Sequence, residues 1–124
     1  MSLVDLHGRL GHTALYFTII MALWGFWRFF RRQGLDSSYW GAAVIAEILY
    51  LVQGGLGAFL YFSGIGSLTG RGIHILYGVV SVLVIPAIFF FTRGEESRRP
   101  MLAYGAGFLF LVGILLRGIV TVGG

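Results

Sequence analysis

Two histidines, His12 and His74, each fall about one turn inside the expected start of a hydrophobic segment, and one further segment separates the two. Crossing a membrane twice returns a chain to the side it left, so both imidazoles are expected at similar depth. Neutral imidazole is the commonest metal ligand, and an ionisable side chain within a membrane is a functional candidate. Two facing imidazoles at one level have the geometry to hold a single iron between two helices, which makes His12 and His74 the expected metal ligands. The plainer account of each is a histidine near the membrane interface, bonded to a carbonyl or water. His7 lies about 140° around the helix from His12 and becomes the substitute ligand if the first helix begins earlier than about Leu10.

The neighbours of these histidines extend the idea. Gly8 stands four residues before His12, and Gly70 and Gly78 flank His74 by four residues on either side. On a helix these share the histidine's face, and the missing side chains would clear space for a flat macrocycle. Arg9, Arg71 and Arg117 all belong to the same side of the expected membrane and suit bidentate pairing with carboxylates such as haem propionates. For Arg9 and Arg71 solvent exposure is the simpler account. Glu47 is the lone acidic residue inside a segment, where a carboxyl held in hydrocarbon is the neutral acid. It is a candidate proton-handling group, quinone contact or subunit contact, with a plain interhelical hydrogen bond as the alternative. Gln53, near mid-segment, can bond across helices or to the edge of a macrocycle.

What positions these residues is a set of helices. The 124-residue chain is 57% hydrophobic and 11% charged, with a mean hydropathy of +0.86, well outside the range of soluble domains. Four spans fit: about 10–30, 40–62, 73–91 and 101–122, at about 20 residues per crossing, and together they form a single domain over 1–124. Lipid leaves no unpaired backbone group satisfied, so each span is helical. Short connections make neighbours antiparallel, giving an all-α, up-down-up-down four-helix transmembrane bundle. Pro86 is expected to kink the third span, and Pro100 fits the first turn of the fourth.

All nine basic residues are arginine and there is no cysteine. The latter excludes c-type haem attachment, iron–sulfur clusters, thiolate sites and disulfides. Arg28, Arg31, Arg32, Arg93, Arg98 and Arg99 fall in or beside the first and third connections. The positive-inside rule then places both connections in the cytoplasm and both termini on the outer, periplasmic side. Trp24, Trp27, Tyr39 and Trp40 are expected as an aromatic belt on the inner side. The net charge of +4 is accordingly a membrane-side signal and not a nucleic-acid footprint. The start of the chain lacks a basic n-region, so removal of the first span as a signal peptide is not expected. Small residues four apart, such as Ala42 and Ala46, Gly54 and Ala58, or Ala103 and Gly107, favour close helix approach. No hydrolase, kinase or zinc-protease motif is present.

The stretch Gln53-Gly54-Gly55-Leu56-Gly57, followed by His74 at the head of the next span, resembles the haem A synthase family. Members are membrane four-helix bundles with a Gln-x-x-Leu-Gly segment on one helix and a haem-ligating histidine on the next. A second histidine lies at the outer end of the preceding helix, where this chain offers His12 or His7. The resemblance covers about Gln53 to Pro86 and implies a b-type haem on the outer side. His12 is followed by Thr13 where the family carries arginine, and the chain holds one bundle where full-length members hold two. These departures point to the haem-holding scaffold of small b-type cytochromes and away from a stand-alone synthase.

The expected function is therefore that of a small b-type haem protein of a membrane, in the first place the bacterial cytoplasmic (inner) membrane. It would transfer electrons near the outer face, as a subunit of a larger respiratory or photosynthetic complex, with quinone as a further cofactor to consider. The alternatives are a cofactor-free accessory subunit of a membrane complex, and a subunit that binds a chlorophyll-type pigment through one histidine.

Overall fold

The computed structural model describes residues 2–62, 71–93 and 97–121, and their side chains except at 71–74 and 120–121. Four helices account for nearly all of them: α1 (Leu3–Phe30), α2 (Ser37–Phe62), α3 (Arg71–Thr92) and α4 (Arg98–Thr121). Each contains a stretch long and apolar enough to cross a membrane. Their outward surfaces are strongly apolar, with Phe30, Phe62, Phe90 and Phe91 all at least 72% exposed. Exposed apolar surface of that extent suits contact with lipid or with protein partners.

α1 begins well before the expected Leu10. Ser2 and Asp5 form a reciprocal capping box: Asp5 N–H donates to Ser2 Oγ at 3.1 Å and Ser2 N–H to an Asp5 carboxylate oxygen at 3.4 Å. Two otherwise orphaned donors are thereby satisfied at the first turn. α2 also starts a little early, because Asp36 Oδ1 accepts from the Tyr39 N–H at 2.8 Å. The other carboxylate oxygen of Asp36 lies 3.3 Å from the Arg28 guanidinium, which also donates to the Gly34 carbonyl. One short connection is thus held by a cap and an ion pair sharing a single carboxylate. α3 continues through Pro86 as one helix.

Consecutive helices pack side by side and α4 closes back onto α1. Among the described residues the backbones of α1 and α3 do not come within 8 Å of each other, Cα to Cα, nor do those of α2 and α4, so these pairs are the diagonals of the bundle. Inward positions repeat at alternating steps of three and four: Gly11, Ala14, Thr18, Met21 and Gly25 on α1, and Tyr39, Ala43, Ala46 and Tyr50 on α2, all buried, with Leu60 buried ten residues further along α2. That spacing is the one by which nearly parallel-axis helices interdigitate. α4 supplies Met101, Tyr104, Phe108 and Leu111, each fully buried.

The end where α1–α2 and α3–α4 are joined, the hairpin end, is densely filled. Tyr39 sits at its centre, its hydroxyl donating to the Met21 carbonyl at 2.9 Å. Its ring is edge-on to Trp24 at 4.9 Å and close to Tyr104 and Phe108, while Trp40 packs on Phe89 at 5.3 Å. The aromatic belt expected from the sequence is corrected at Tyr39, which is fully buried. Trp27 is 59% exposed and suits an interface, while Trp24 and Trp40 are half-buried against the core. Here α1 and α4 approach backbone to backbone: a Cβ on Gly25 would lie 2.9 Å from Gly105 Cα and 2.7 Å from the Tyr39 hydroxyl.

Candidate functional site

At the opposite end, where α1 and α3 start and α2 and α4 stop, the bundle opens into a cavity of about 690 Å³. That is within the range of small-molecule and cofactor sites. All four helices contribute walls, and the lining is overwhelmingly apolar, with His7, His12, Gln53 and Ser81 as its main polar members. The cavity exists because large side chains are withheld. Gly8, Gly11, Gly54, Gly55, Gly57 and Gly78 all border it, and at Gly8, Gly55 and Gly78 an added Cβ would meet only open space.

His7 belongs to the inward row of α1, four residues before Gly11. Its ring rests on the α2 backbone: a Cβ on Gly57 would stand 3.2 Å from His7 Cε1. Gly57 is thus the seat that lets an imidazole lie between α1 and α2. One turn deeper, the Gln53 amide crosses from α2 and donates from Nε2 to the His7 carbonyl at 2.7 Å. Gly11 makes room for it, since a Cβ there would lie 3.1 Å from that nitrogen. Below this the seam is closed by Tyr50 and Thr18, whose hydroxyls are 2.6 Å apart. Thr18 spends its proton on the Ala14 carbonyl, so Tyr50 is the donor of the pair.

His12 occupies a different place. It is exposed at the cavity rim, and its Nδ1–H donates to the Gly8 carbonyl at 3.0 Å, which leaves Nε2 with its lone pair. With α1 starting at Leu3, His12 lies nine residues into the helix and His7 four, while position 74 lies three residues into α3. Interhelical contacts give a larger offset than this count. Gly57 faces His7, and Gly54 faces Val82, so the level of His7 on α3 falls near residue 79. Position 74 is then about 7 Å nearer the open end than His7, and about 15 Å from the level of His12, at 1.5 Å per residue. It falls seven residues before the buried Ser81, on the same helical row.

The remaining expected site residues divide. Gly8, Gly78 and Gln53 border the cavity. Arg9 is exposed beside His12 in a shallow hollow on the outer face of α1. Arg117 is exposed and does not border the cavity. Gly70 and the side chains of Arg71 and His74 lie outside the described residues. Glu47 is half-buried on α2, on the row of Trp40 and Gly54 that faces α3, and one of its oxygens is buried without a hydrogen-bond partner among the described residues. Among those residues no cluster of three or more histidine, aspartate or glutamate side chains could hold a bare metal ion. Gly11 and Gly57 are the site residues that reading the sequence missed. The signal for Gly11 was its place one turn after His7, and for Gly57 its place one turn after Gln53.

No family model, curated protein or solved structure matches the chain.

Proposed function

We propose that the chain is an integral membrane protein whose open-end cavity holds a b-type haem between α1 and α3, and that it transfers electrons as part of a larger complex of the bacterial cytoplasmic membrane. The arginine distribution supports an orientation with the hairpin end in the cytoplasm. One observation carries the haem reading: an apolar, glycine-walled cavity of about 690 Å³ that reaches four helices and contains the His7 imidazole. Flat walls and an aromatic nitrogen base are what a planar metallated macrocycle requires. Position 74 on the diagonal helix lies about 7 Å nearer the open end than His7 and about 15 Å from the level of His12, so of the two α1 histidines His7 is the one this reading pairs with His74. A haem so held supplies one-electron reduction and oxidation. The protein's own contribution is to orient the ring and exclude water. The partial resemblance to the haem A synthase family adds support at Gln53 to Gly57.

The test is a reduced-minus-oxidised spectrum with pyridine haemochrome analysis on protein purified from haem-replete cells. A low-spin b-type signal is expected, abolished by His7→Ala and by His74→Ala and retained by His12→Ala. A signal lost only with His12→Ala would move the α1 ligand. Colourless protein that always purifies with partner chains would replace the haem reading with that of an accessory subunit, and a chlorophyll-type spectrum would replace it with pigment binding.

A further inference from the structure

Glu47 does not border the cavity and has no part in the proposed haem site. It stands on the α2 row that faces α3, seven residues from Trp40 on one side and seven from Gly54 on the other. Those two neighbours locate it against α3, because Trp40 packs on Phe89 and Gly54 faces Val82. The midpoint between Val82 and Phe89 falls at Ile85 and Pro86. Ile85 is turned into the core at 3% exposure, which leaves half-buried Pro86 as the residue opposite Glu47.

That pairing sets two acceptors without donors at one depth. Pro86 has no N–H, so the Val82 carbonyl, which points along α3 toward it, lacks its helix donor. Glu47 makes no hydrogen bond or ion pair among the described residues. Its Oε1 is enclosed, but the side chain as a whole is half-exposed, so a neighbour reaches the carboxyl at its other oxygen. Water completes such groups at a soluble surface; hydrocarbon cannot.

The surface around them is also the least covered of the bundle. Only 11% of the apolar stretch of α3 and 22% of that of α2 are buried, against 33% for α1 and 28% for α4. Ile48 and Leu51 on α2 and Leu83 and Phe90 on α3 are each more than half exposed. An apolar face with two donorless acceptors between its helices is complementary to an apolar helix that carries a cation with several N–H groups.

We propose that the α2–α3 seam docks a transmembrane helix of a partner subunit, and that a basic side chain on that helix pairs with the Glu47 carboxylate while donating to the Val82 carbonyl. Arginine suits the place best, being weakly hydrated and carrying five N–H groups in one plane. A second copy of this chain brings only another Glu47 to the same depth and no cation. The inference rests on the membrane-spanning, multi-subunit part of the proposed function and not on the haem, so it can fail separately.

The chain has no lysine, so an amine-reactive dye labels its amino terminus alone. The experiment measures energy transfer from the labelled protein in phosphatidylcholine vesicles to an acceptor-labelled partner. Three partners are compared: a Leu/Ala-rich transmembrane peptide with one central arginine, the same peptide with leucine there, and a second copy of the protein. The arginine peptide is expected to associate at least about tenfold more tightly than either of the others. Glu47→Leu should remove that preference, and so should Glu47→Gln, which keeps the shape and lacks the charge. Pro86→Ala, which returns an N–H to the Val82 carbonyl, should reduce the preference severalfold at unchanged helical content. Protein prepared without haem should show the same preference as protein prepared with it. Equal association of the two peptides, self-association as tight as that with the arginine peptide, or an undiminished preference in any of the three variants would each overturn the proposal.

Discussion

The two ends of this bundle use glycine in opposite ways. At the hairpin end Gly25 and Gly105 are contact surfaces. The α1 and α4 backbones meet there, and an added Cβ would press into Gly105 Cα, the Tyr39 hydroxyl or the Phe26 backbone. At the open end Gly8, Gly55 and Gly78 face vacant space around a cavity of about 690 Å³. Close approach of helices is the general role of small residues in membrane bundles, and it accounts for the first set. It does not account for the second. Withholding side chains where nothing fills the gap forfeits packing, and such a gap is retained when the space itself is used.

The largest expected effect breaks the packed end. Gly25→Ala places a methyl group against backbone that cannot rotate away, and overpacking of this kind costs about 1–3 kcal/mol. The midpoint of unfolding in detergent should fall accordingly, and Gly25→Leu should prevent a stable bundle. If Gly25→Ala melted like the parent, the close α1–α4 crossing would be wrong and the contrast between the ends would disappear.

The same contrast explains what could be read in advance. Four helices were legible because length and apolarity leave a membrane chain few choices. The start of α1 was not, because the decisive signal is the local pair Ser2 and Asp5 and not the hydrophobic run. That offset matters, since it moves His12 nine residues into the helix and brings His7 onto the inward row. Tyr39 was misplaced for a related reason: an aromatic near a span end reads equally well as belt or as core, and only the α1 carbonyl it bonds decides between them. Gln53 was legible as a residue that bonds across helices. Its partner was not, because the room for the bond is provided by Gly11 on another helix.

Smaller effects sharpen the picture at the hairpin end. Tyr39→Phe keeps the edge-on ring contacts and removes the bond to the Met21 carbonyl. Interhelical hydrogen bonds in membrane bundles average about 0.6 kcal/mol, so a loss near that size is expected in reversible unfolding. Arg32 offers a change of the other sign. It stands just past the end of α1 at φ 58°, within a turn in which Gln33 N–H bonds the Arg28 carbonyl and Arg32 N–H the Phe29 carbonyl. That left-handed position favours glycine, and Arg32→Gly should raise stability by about 1 kcal/mol at most. No gain would mean that Arg32 makes a compensating contact with lipid head groups.

The smallest expected stability change, at Gly78, is the most diagnostic, because its sign separates the two ends. Gly78→Ala adds a methyl group at a helix-interior site where nothing lies within 4 Å. No atom has to move, and replacing glycine in a helix interior favours the helix by up to about 1 kcal/mol. The variant should therefore unfold at the parent's midpoint or slightly above it, while Gly25→Ala unfolds well below. The added methyl projects toward the cavity, so ligand affinity should weaken even as the fold holds. A glycine kept for packing cannot give that pairing of unchanged stability with weakened binding, because the methyl that weakens binding would also strain the helices. If Gly78→Ala destabilised the bundle as Gly25→Ala does, the open end would be a second tight seam and its cavity would have no claim to a ligand.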